Sequence, residues 1–309
     1  MSGTARAPSL FEARVVAGYG RHCLLEDRAG SLYEGQRRGK RGDVVVGDRV
    51  RCQRAAAAQA TIESILPRAS LLMRADGVRS KALAANVDRV LVVFAPRPAF
   101  NERFVWRALL AAHAAGISSL VVLNKIDLDG DGAGARALAR LSGLGFATLA
   151  VSAKAAADAA RTALRAALGS AANLVIGQSG MGKSTLLNLL VPQANARTQE
   201  YSTRLNLGRQ TTSASRLFHL DGGGEVIDTP GFHAFGLAHL DLRQLAAAMP
   251  EFVPLIGRCR FGDCRHLAEP DCAIRTAVAA GAIDPARHAF YAELVEATDA
   301  LRRRDPVLP

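Results

Sequence analysis

A mixed α/β chain in three parts is what the sequence predicts: a small N-terminal β-barrel over 1–67, an α/β domain over 68–240, and a C-terminal helical domain over 241–309. Three observations predict it. Residues 10 to 66 read as short strands separated by turns. Asn173 to Leu190 reads as strand, glycine loop and helix in immediate succession. Three cysteines and a histidine cluster between Cys259 and Cys272.

Composition narrows the class. With 309 residues, 49% of them hydrophobic, the chain has room for several domains and a substantial core. No apolar run is long enough to span a bilayer, and Met1-Ser-Gly-Thr-Ala-Arg-Ala lacks the apolar region of a secretory signal, so a cytoplasmic location without membrane contact is expected. A net charge of +11 points to a polyanionic partner, nucleic acid or an anionic surface, beyond any bound nucleotide. Aromatic residues make up only 5%, which favours contact with a phosphate backbone over base stacking. Five cysteines in such a chain do not suggest a disulfide framework, and Cys23 and Cys52 read as core residues.

Strands are expected at 13–17, 23–26, 32–34, 44–46, 48–52 and 61–65, an OB-like barrel pattern. The loop Gln36 to Gly42 carries Arg37, Arg38, Lys40 and Arg41, suited to an RNA backbone. Ala55 to Ala60 reads as an alanine-rich surface loop, and Pro67 to Leu83 as a basic connector.

From Val87 the pattern changes. An apolar strand to Phe94, a helix from Phe104 to Ala115 stopped at Gly116, and a strand from Ile117 to Leu123 make a βαβ unit with a largely parallel sheet. The second strand runs into Asn124-Lys125-Ile126-Asp127, where ligands sit in open α/β sheets. Asp127 would accept from the guanine N1–H and 2-amino group, Asn124 would bond near the purine O6/N7 edge, and the Lys125 stem would pack over the ring. Adenine lacks the 2-amino donor, so a carboxylate buried without it discriminates. Asp127 to Gly132 imitates the start of a calcium loop but has Leu138 where a bidentate Glu is needed. A helix at 135–144 and a strand at 147–151 then deliver Ser152-Ala153-Lys154, in the position of a second base-contacting loop whose N–H meets the guanine O6, and a helix at 158–168 follows.

The phosphate cradle is Gly177-Gln178-Ser179-Gly180-Met181-Gly182-Lys183-Ser184-Thr185. Its glycines let the backbone approach the ligand, Lys183 neutralises the β and γ phosphates, and the Ser184 hydroxyl reaches a magnesium ion. Pro192 closes the helix. Asn195 to Arg209, polar and without periodicity, suits a switch segment, and it ends in Gly208-Arg209-Gln210-Thr211-Thr212. A threonine there, Thr212 in this reading, coordinates magnesium and senses the γ-phosphate. Strands at 215–220 and 225–228 flank a glycine-rich hairpin turn. Asp228 would hold magnesium through water, and the Gly231 N–H would bond the γ-phosphate. GTP or GDP with magnesium is therefore expected, and an ATP-dependent kinase is disfavoured by Asn124 and Asp127.

Cys259, Cys264, His266 and Cys272 offer three thiolates and one imidazole, a set that closes a tetrahedral zinc site. A closed site is structural; a catalytic zinc, which needs an open position, and metal-free thiols are the competing readings. Pro285 to Arg304 reads as an amphipathic helix ending in three arginines.

The guanine motifs stand in an unusual order, with Asn124 to Asp127 and Ser152 to Lys154 before the phosphate loop and Asp228 to Gly231 after it. Close domain termini make a circular permutation tolerable. In this order, with an OB-like segment before and a Cys-Cys-His-Cys tail behind, the chain resembles the RsgA-type ribosome small-subunit biogenesis GTPases over almost its whole length. The resemblance implies a circularly permuted Ras-like P-loop GTPase domain and a monomer that docks on the small ribosomal subunit and its rRNA. It also implies that the subunit stimulates hydrolysis and that the protein leaves after it. Phe232 stands where Ras-like enzymes place a water-orienting glutamine, and the family likewise has a hydrophobic residue there. Where the family commonly has a histidine before the switch threonines, this chain has Gln210, which orients water but takes no proton at neutral pH. An RNA-binding assembly scaffold with GTP as a slow timer is the alternative.

Overall fold

In the computed structural model, the described residues are 10–19, 22–37, 44–76, 79–194, 215–230 and 235–304. Strands Leu10–Tyr19 (β1), His22–Asp27 (β2), Leu32–Arg37 (β3), Arg49–Ala56 (β4) and Gln59–Ile65 (β5) run in the order β1-β2-β3-β5-β4, and β4 returns to β1. The sheet is thus closed and has no free edge. Only β3 and β5 are parallel. A bulge between Val15 and Ala17 bends β1. The barrel has its own core, with Val15, Leu25, Val50 and Ile62 around Cys23 and Cys52, and burial pushes both thiols up to about 12.

Two sequence expectations are corrected here. Ala55 to Ala60 is not a loop: it carries the ends of β4 and β5, only Ala57 and Ala58 lie between the strands, and Ala60 is buried. Alanine is a poor strand former alone, and cross-strand pairing with β5 decides its conformation. Pro67 to Leu83 is likewise more than a connector, since it contains most of a second hairpin, Leu71–Asp76 (β6) and Arg79–Ala85 (β7).

The α/β layer follows. Its strands are Arg89–Phe94 (β8), Ser118–Asn124 (β9), Ala147–Val151 (β10), Ala172–Gly177 (β11), Arg216–His219 (β12) and Glu225–Asp228 (β13), in the order β10-β9-β8-β11-β13-β12. All neighbours are parallel except β12 and β13. Helices Glu102–Ala114 (α1), Ala133–Gly143 (α2), Ala157–Leu168 (α3) and Lys183–Leu190 (α4) make the crossovers. Asn101 caps α1 by accepting from the Phe104 N–H. The turn between β12 and β13 places Gly222, Gly223 and Gly224 consecutively at positive φ, which side chains would strain. The chain lays down β8, β9 and β10 to one side and then returns with β11 on the other side of β8. A topological switch point therefore lies between β8 and β11, and the crevice outside their carboxyl ends is where a ligand sits. At the far edge β12 meets β1 through Ala17 and Arg216, so one sheet continues into the barrel.

The C-terminal part contains helices Leu242–Ala247 (α5), Ala273–Ala279 (α6) and Pro285–Arg304 (α7). Asp241 and Gln244 form a capping box at α5. Helix α7 packs on α1: the Trp106 and Phe290 rings meet edge-on at 5.1 Å, and the Arg287 guanidinium lies over Trp106 at 4.9 Å. Arg287 is buried and paired with buried Glu251, Nε to Oε1 2.6 Å.

Candidate nucleotide site and metal centre

The phosphate loop spans 178–182 between β11 and α4. Gly180 and Gly182 have φ of +80° and +90°. A β-carbon at Gly177 would lie 2.5 Å from the Val93 carbonyl oxygen, and one at Gly182 would collide with Asn124 Nδ2. Glycine is therefore required here by both backbone conformation and close approach. Met181, 1% exposed, anchors the loop in the core, while Ser179 and Ser184 face outward. Lys183 is buried and folds back over the loop, its Nζ donating to the carbonyls of Gly177 (2.8 Å) and Gln178 (3.0 Å). Burial lowers its pKa and Asp228 opposes that. Burial raises the Asp228 carboxyl in turn, only partly offset by Lys183 and Arg216. Thr229 ties the end of β13 to β11 by donating to the Val175 carbonyl at 2.7 Å.

At the base end, Asn124 is 1% exposed. Its Nδ2 donates to the Met181 carbonyl (3.1 Å), and its Oδ1 accepts from the Ala153 N–H (3.2 Å). Asn124, expected at the purine edge, forms a clamp between the phosphate loop and the Ser152-Ala153-Lys154 loop through one of its two amide hydrogens and its carbonyl oxygen. The Ala153 N–H, in the loop expected to meet the guanine O6, is engaged in that clamp. Lys125 adopts φ +58°, and its Nζ donates to the carbonyls of Gly180 (2.7 Å) and Arg97 (2.9 Å). Ser152 Oγ donates to Asp127 Oδ1 (2.6 Å) and accepts from the Asp127 N–H (3.2 Å). Asp127 itself is exposed rather than buried, as are Ile126 and Lys154. Discrimination against adenine therefore depends on the base covering this carboxylate when it binds.

Several expected residues lie outside the described ones: Arg38, Lys40 and Arg41, the segment Asn195 to Arg209, Gln210, Thr211 and Thr212, and Gly231 with Phe232. Arg37 ends β3.

The Cys/His cluster converges. Cys259 Sγ lies 3.5 Å from His266 Nδ1 and 3.9 Å from Cys272 Sγ, and Cys272 Sγ lies 3.6 Å from the same nitrogen. All four donor atoms, Cys264 included, are within 4.8 Å of one another. Ligands of a tetrahedral zinc at about 2.3 Å for sulfur and about 2.0 Å for nitrogen stand roughly 3.5–3.8 Å apart, so the donors fit such an ion. Burial, and next to it the Cys272 and Cys259 thiols, push the Cys264 thiol up to about 12, with the His266 N–H opposing. A divalent cation would reverse that like-charge problem. The support is specific as well. His266 takes φ +64°, its carbonyl meets His288 Nε2 at 2.7 Å, and the rings of Phe252 and Tyr291 flank its imidazole. The Glu269 carboxylate accepts from the N–H groups of Arg265, Leu267 and Ala268 and fixes the turn.

The motif order and this geometry have close counterparts. Residues 65–238 match the model of the RsgA GTPase family. The small ribosomal subunit biogenesis GTPase RsgA of Burkholderia pseudomallei (strain 1710b) is 48% identical over 301 residues, 96% of each chain. The chain belongs to the RsgA GTPase family. It is a GTP hydrolase by that membership. The protein of the same name from Ralstonia nicotianae is 46% identical, covering 92% of this chain and 91% of its own. The crystal structure of YjeQ from Thermotoga maritima superposes with a TM-score of 0.71 at 27% identity, over 94% of this chain and 99% of that one.

One part of this GTPase's site escapes sequence reasoning: the segment between β8 and α1. Arg97 offers its carbonyl to Lys125, Pro98 packs near Gly180, and the Asn101 N–H donates to Gln178 Oε1 at 2.9 Å. Ala95-Pro-Arg-Pro-Ala-Phe-Asn101 carries no nucleotide motif. Its one signal is position, immediately after a parallel strand at the sheet's carboxyl end.

Proposed function

We propose that this GTPase binds the small ribosomal subunit late in its assembly, is stimulated by it, and leaves after hydrolysing GTP. The observation that carries the nucleotide reading is the direct bonding of three separated motifs into one crevice, Asn124 to Met181 and Ala153, and Lys125 to Gly180. The ribosomal reading is supported by relatives called small ribosomal subunit biogenesis GTPases that align along nearly the whole chain.

In this reading the backbone N–H groups of 178–184 and the start of α4 take the phosphates. Lys183 exchanges the Gly177 and Gln178 carbonyls for phosphate oxygens, and Asp127 accepts the guanine donors. Ser184, Thr212 and Asp228 would hold magnesium, which when bound neutralises phosphate charge; the buried, partly compensated Asp228 carboxyl suits it. Gln210 orients the attacking water beside Thr211, and Gly231 bonds the γ-phosphate. Cys259, Cys264, His266 and Cys272 hold one structural zinc, while Arg37, Arg38, Lys40 and Arg41 contact rRNA. The protein works as a cytoplasmic monomer of three domains, 1–67, 68–240 and 241–309; among the described residues no helix is long and apolar enough to cross a membrane. Co-sedimentation tests the cycle. Retention on small subunits with a non-hydrolysable GTP analogue and release with GDP is expected, and equal retention with both nucleotides would reject it.

A further inference from the structure

Helix α1 stands between the phosphate loop and the metal-bearing tail and bonds to both. At its N-terminus the Asn101 N–H donates to the Gln178 side-chain oxygen at 2.9 Å, while the Asn101 side chain caps the helix by accepting from the Phe104 N–H. The approach to that cap is fixed in turn. The Phe100 ring packs on Phe94 of β8 at 4.8 Å, and a β-carbon on Gly180 would lie 3.0 Å from the Pro98 ring. Gln178 is held through its main chain as well, because its carbonyl accepts from the Lys183 ammonium at 3.0 Å.

Within its first two turns α1 also meets α7. Arg103 forks onto the Glu293 carboxylate at 2.8 and 2.5 Å, and Trp106 takes Phe290 edge-on with the Arg287 guanidinium over its own ring. The same stretch of α7 reaches the metal loop. His288 Nε2 lies 2.7 Å from the His266 carbonyl oxygen, and the Tyr291 hydroxyl donates to the Arg265 carbonyl at 3.2 Å. Three links thus join a metal donor to the phosphate loop: His266 to α7, α7 to α1, and α1 to Gln178. The first two run through buried Tyr291, Phe290 and Trp106, whereas the last is a single hydrogen bond to a half-buried side chain.

We infer that Gln178 is a positioning residue through which the metal centre and the phosphate loop are coupled by way of α7 and α1. The inference rests on the proposed nucleotide and zinc sites and not on the ribosomal partner. When the four donors close the loop at 259–272, the carbonyls of Arg265 and His266 are fixed, α7 is seated on them, and α1 is seated on α7. The Asn101 N–H is then held where it aims the Gln178 side chain, so the outer wall of the phosphate loop is in place before a ligand arrives and binding needs less ordering. Coupling between two sites is reciprocal, so a nucleotide on the loop must also hold the metal more firmly. The last link bounds its size, since one net hydrogen bond changes an equilibrium by roughly twofold to tenfold.

The test follows loss of zinc from the full-length protein to a zinc-selective colorimetric chelator, with and without saturating GDP and magnesium, in wild type and Gln178→Met. Methionine keeps the length of the side chain and removes the oxygen that Asn101 meets. GDP should slow zinc loss about fivefold in the wild type and less than about twofold in Gln178→Met, with saturation of each protein checked by fluorescent-nucleotide titration. Stabilisation of the fold in general would instead slow zinc loss equally in both. Asn101→Pro removes the donor from the other side and leaves every phosphate-loop residue in place, so the route stays testable if Gln178→Met binds GDP too weakly to saturate. Asn101→Ala, which loses the cap and keeps the N–H, is its control; the slowing should vanish in the proline variant and persist in the alanine variant, both checked for folding by thermal melting. No slowing in the wild type would overturn the coupling. Undiminished slowing in Gln178→Met, or the same slowing in both Asn101 variants, would overturn its route through Gln178. Wild-type protein that holds no zinc or binds no GDP would reject the zinc or the nucleotide reading beneath it.

Discussion

At the scale of single residues, the site is built from groups that bond each other as much as any ligand. Asp127 is bonded to Ser152 and stays exposed, and in the proposed reading its carboxylate meets the base. Hydrogen bonds to a charged group contribute about 1.5–3 kcal/mol each, so Asp127→Ala should weaken GDP at least about tenfold in a fluorescent-nucleotide titration. ATP should compete roughly four orders of magnitude less well than GTP for the wild type. A buried residue gives a second prediction. Glu251→Ala leaves the Arg287 guanidinium without its carboxylate in an apolar setting, which should cost about 3–5 kcal/mol in urea unfolding. The motifs at this scale were legible because their spacing is local: the glycines, Lys183, Asp127 and the four metal donors are each recognisable within a short window. The clamp role of Asn124 was not, since it depends on Met181 and Ala153, which only the sheet brings near.

At the scale of elements, strong periodicity told most and weak propensity misled. The apolar runs of β8, β9 and β11 were readable, because burial on both sheet faces leaves a direct trace in residue type. Ala55 to Ala60 and the β6–β7 hairpin were not, because alanine and interspersed arginine and lysine become strands only through their partners. The junction of β12 with the barrel carries a pH prediction. His219 on β12 bonds Glu26 of β2 at 2.6 Å and faces Glu225, with Arg14 opposing. The Glu26 hydrogen bond raises the imidazole pKa, against its burial, so the protonated form is favoured in the folded protein. That stabilisation is fully present below the unfolded value of about 6.5 and is lost as pH rises through the raised folded value. Melting temperature should therefore fall more across this window in the wild type than in His219→Gln. In the tail, chelation should unfold the segment around Cys259 to Cys272 before the rest, read by hydrogen exchange, because three thiols and an imidazole without an ion hold little core together. Protection unchanged by chelator, with no zinc in elemental analysis, would return the cluster to free thiols.

At the scale of the whole molecule, one sheet runs from the nucleotide crevice through β12 into the barrel, and α1 carries the metal-bearing tail on its Trp106 face. The crevice, the barrel and the tail thus share one frame in a chain of net charge +11. Binding to small subunits should weaken steeply with salt, because each lysine or arginine on a phosphate releases counterions. Replacing Arg37, Arg38, Lys40 and Arg41 together by alanine should flatten that slope, and an unchanged slope would assign the loop to a merely solvated turn. Catalysis is the central claim, and Phe232 and Gln210 mean that the chain brings neither the usual water-orienting glutamine nor the family's histidine. The most direct measurement is multiple-turnover GTP hydrolysis with and without small ribosomal subunits. Slow turnover alone and acceleration by roughly three to five powers of ten with subunits is the predicted result. The same rate in both conditions would contradict a subunit-stimulated GTPase and leave the protein an RNA-bound scaffold timed by GTP.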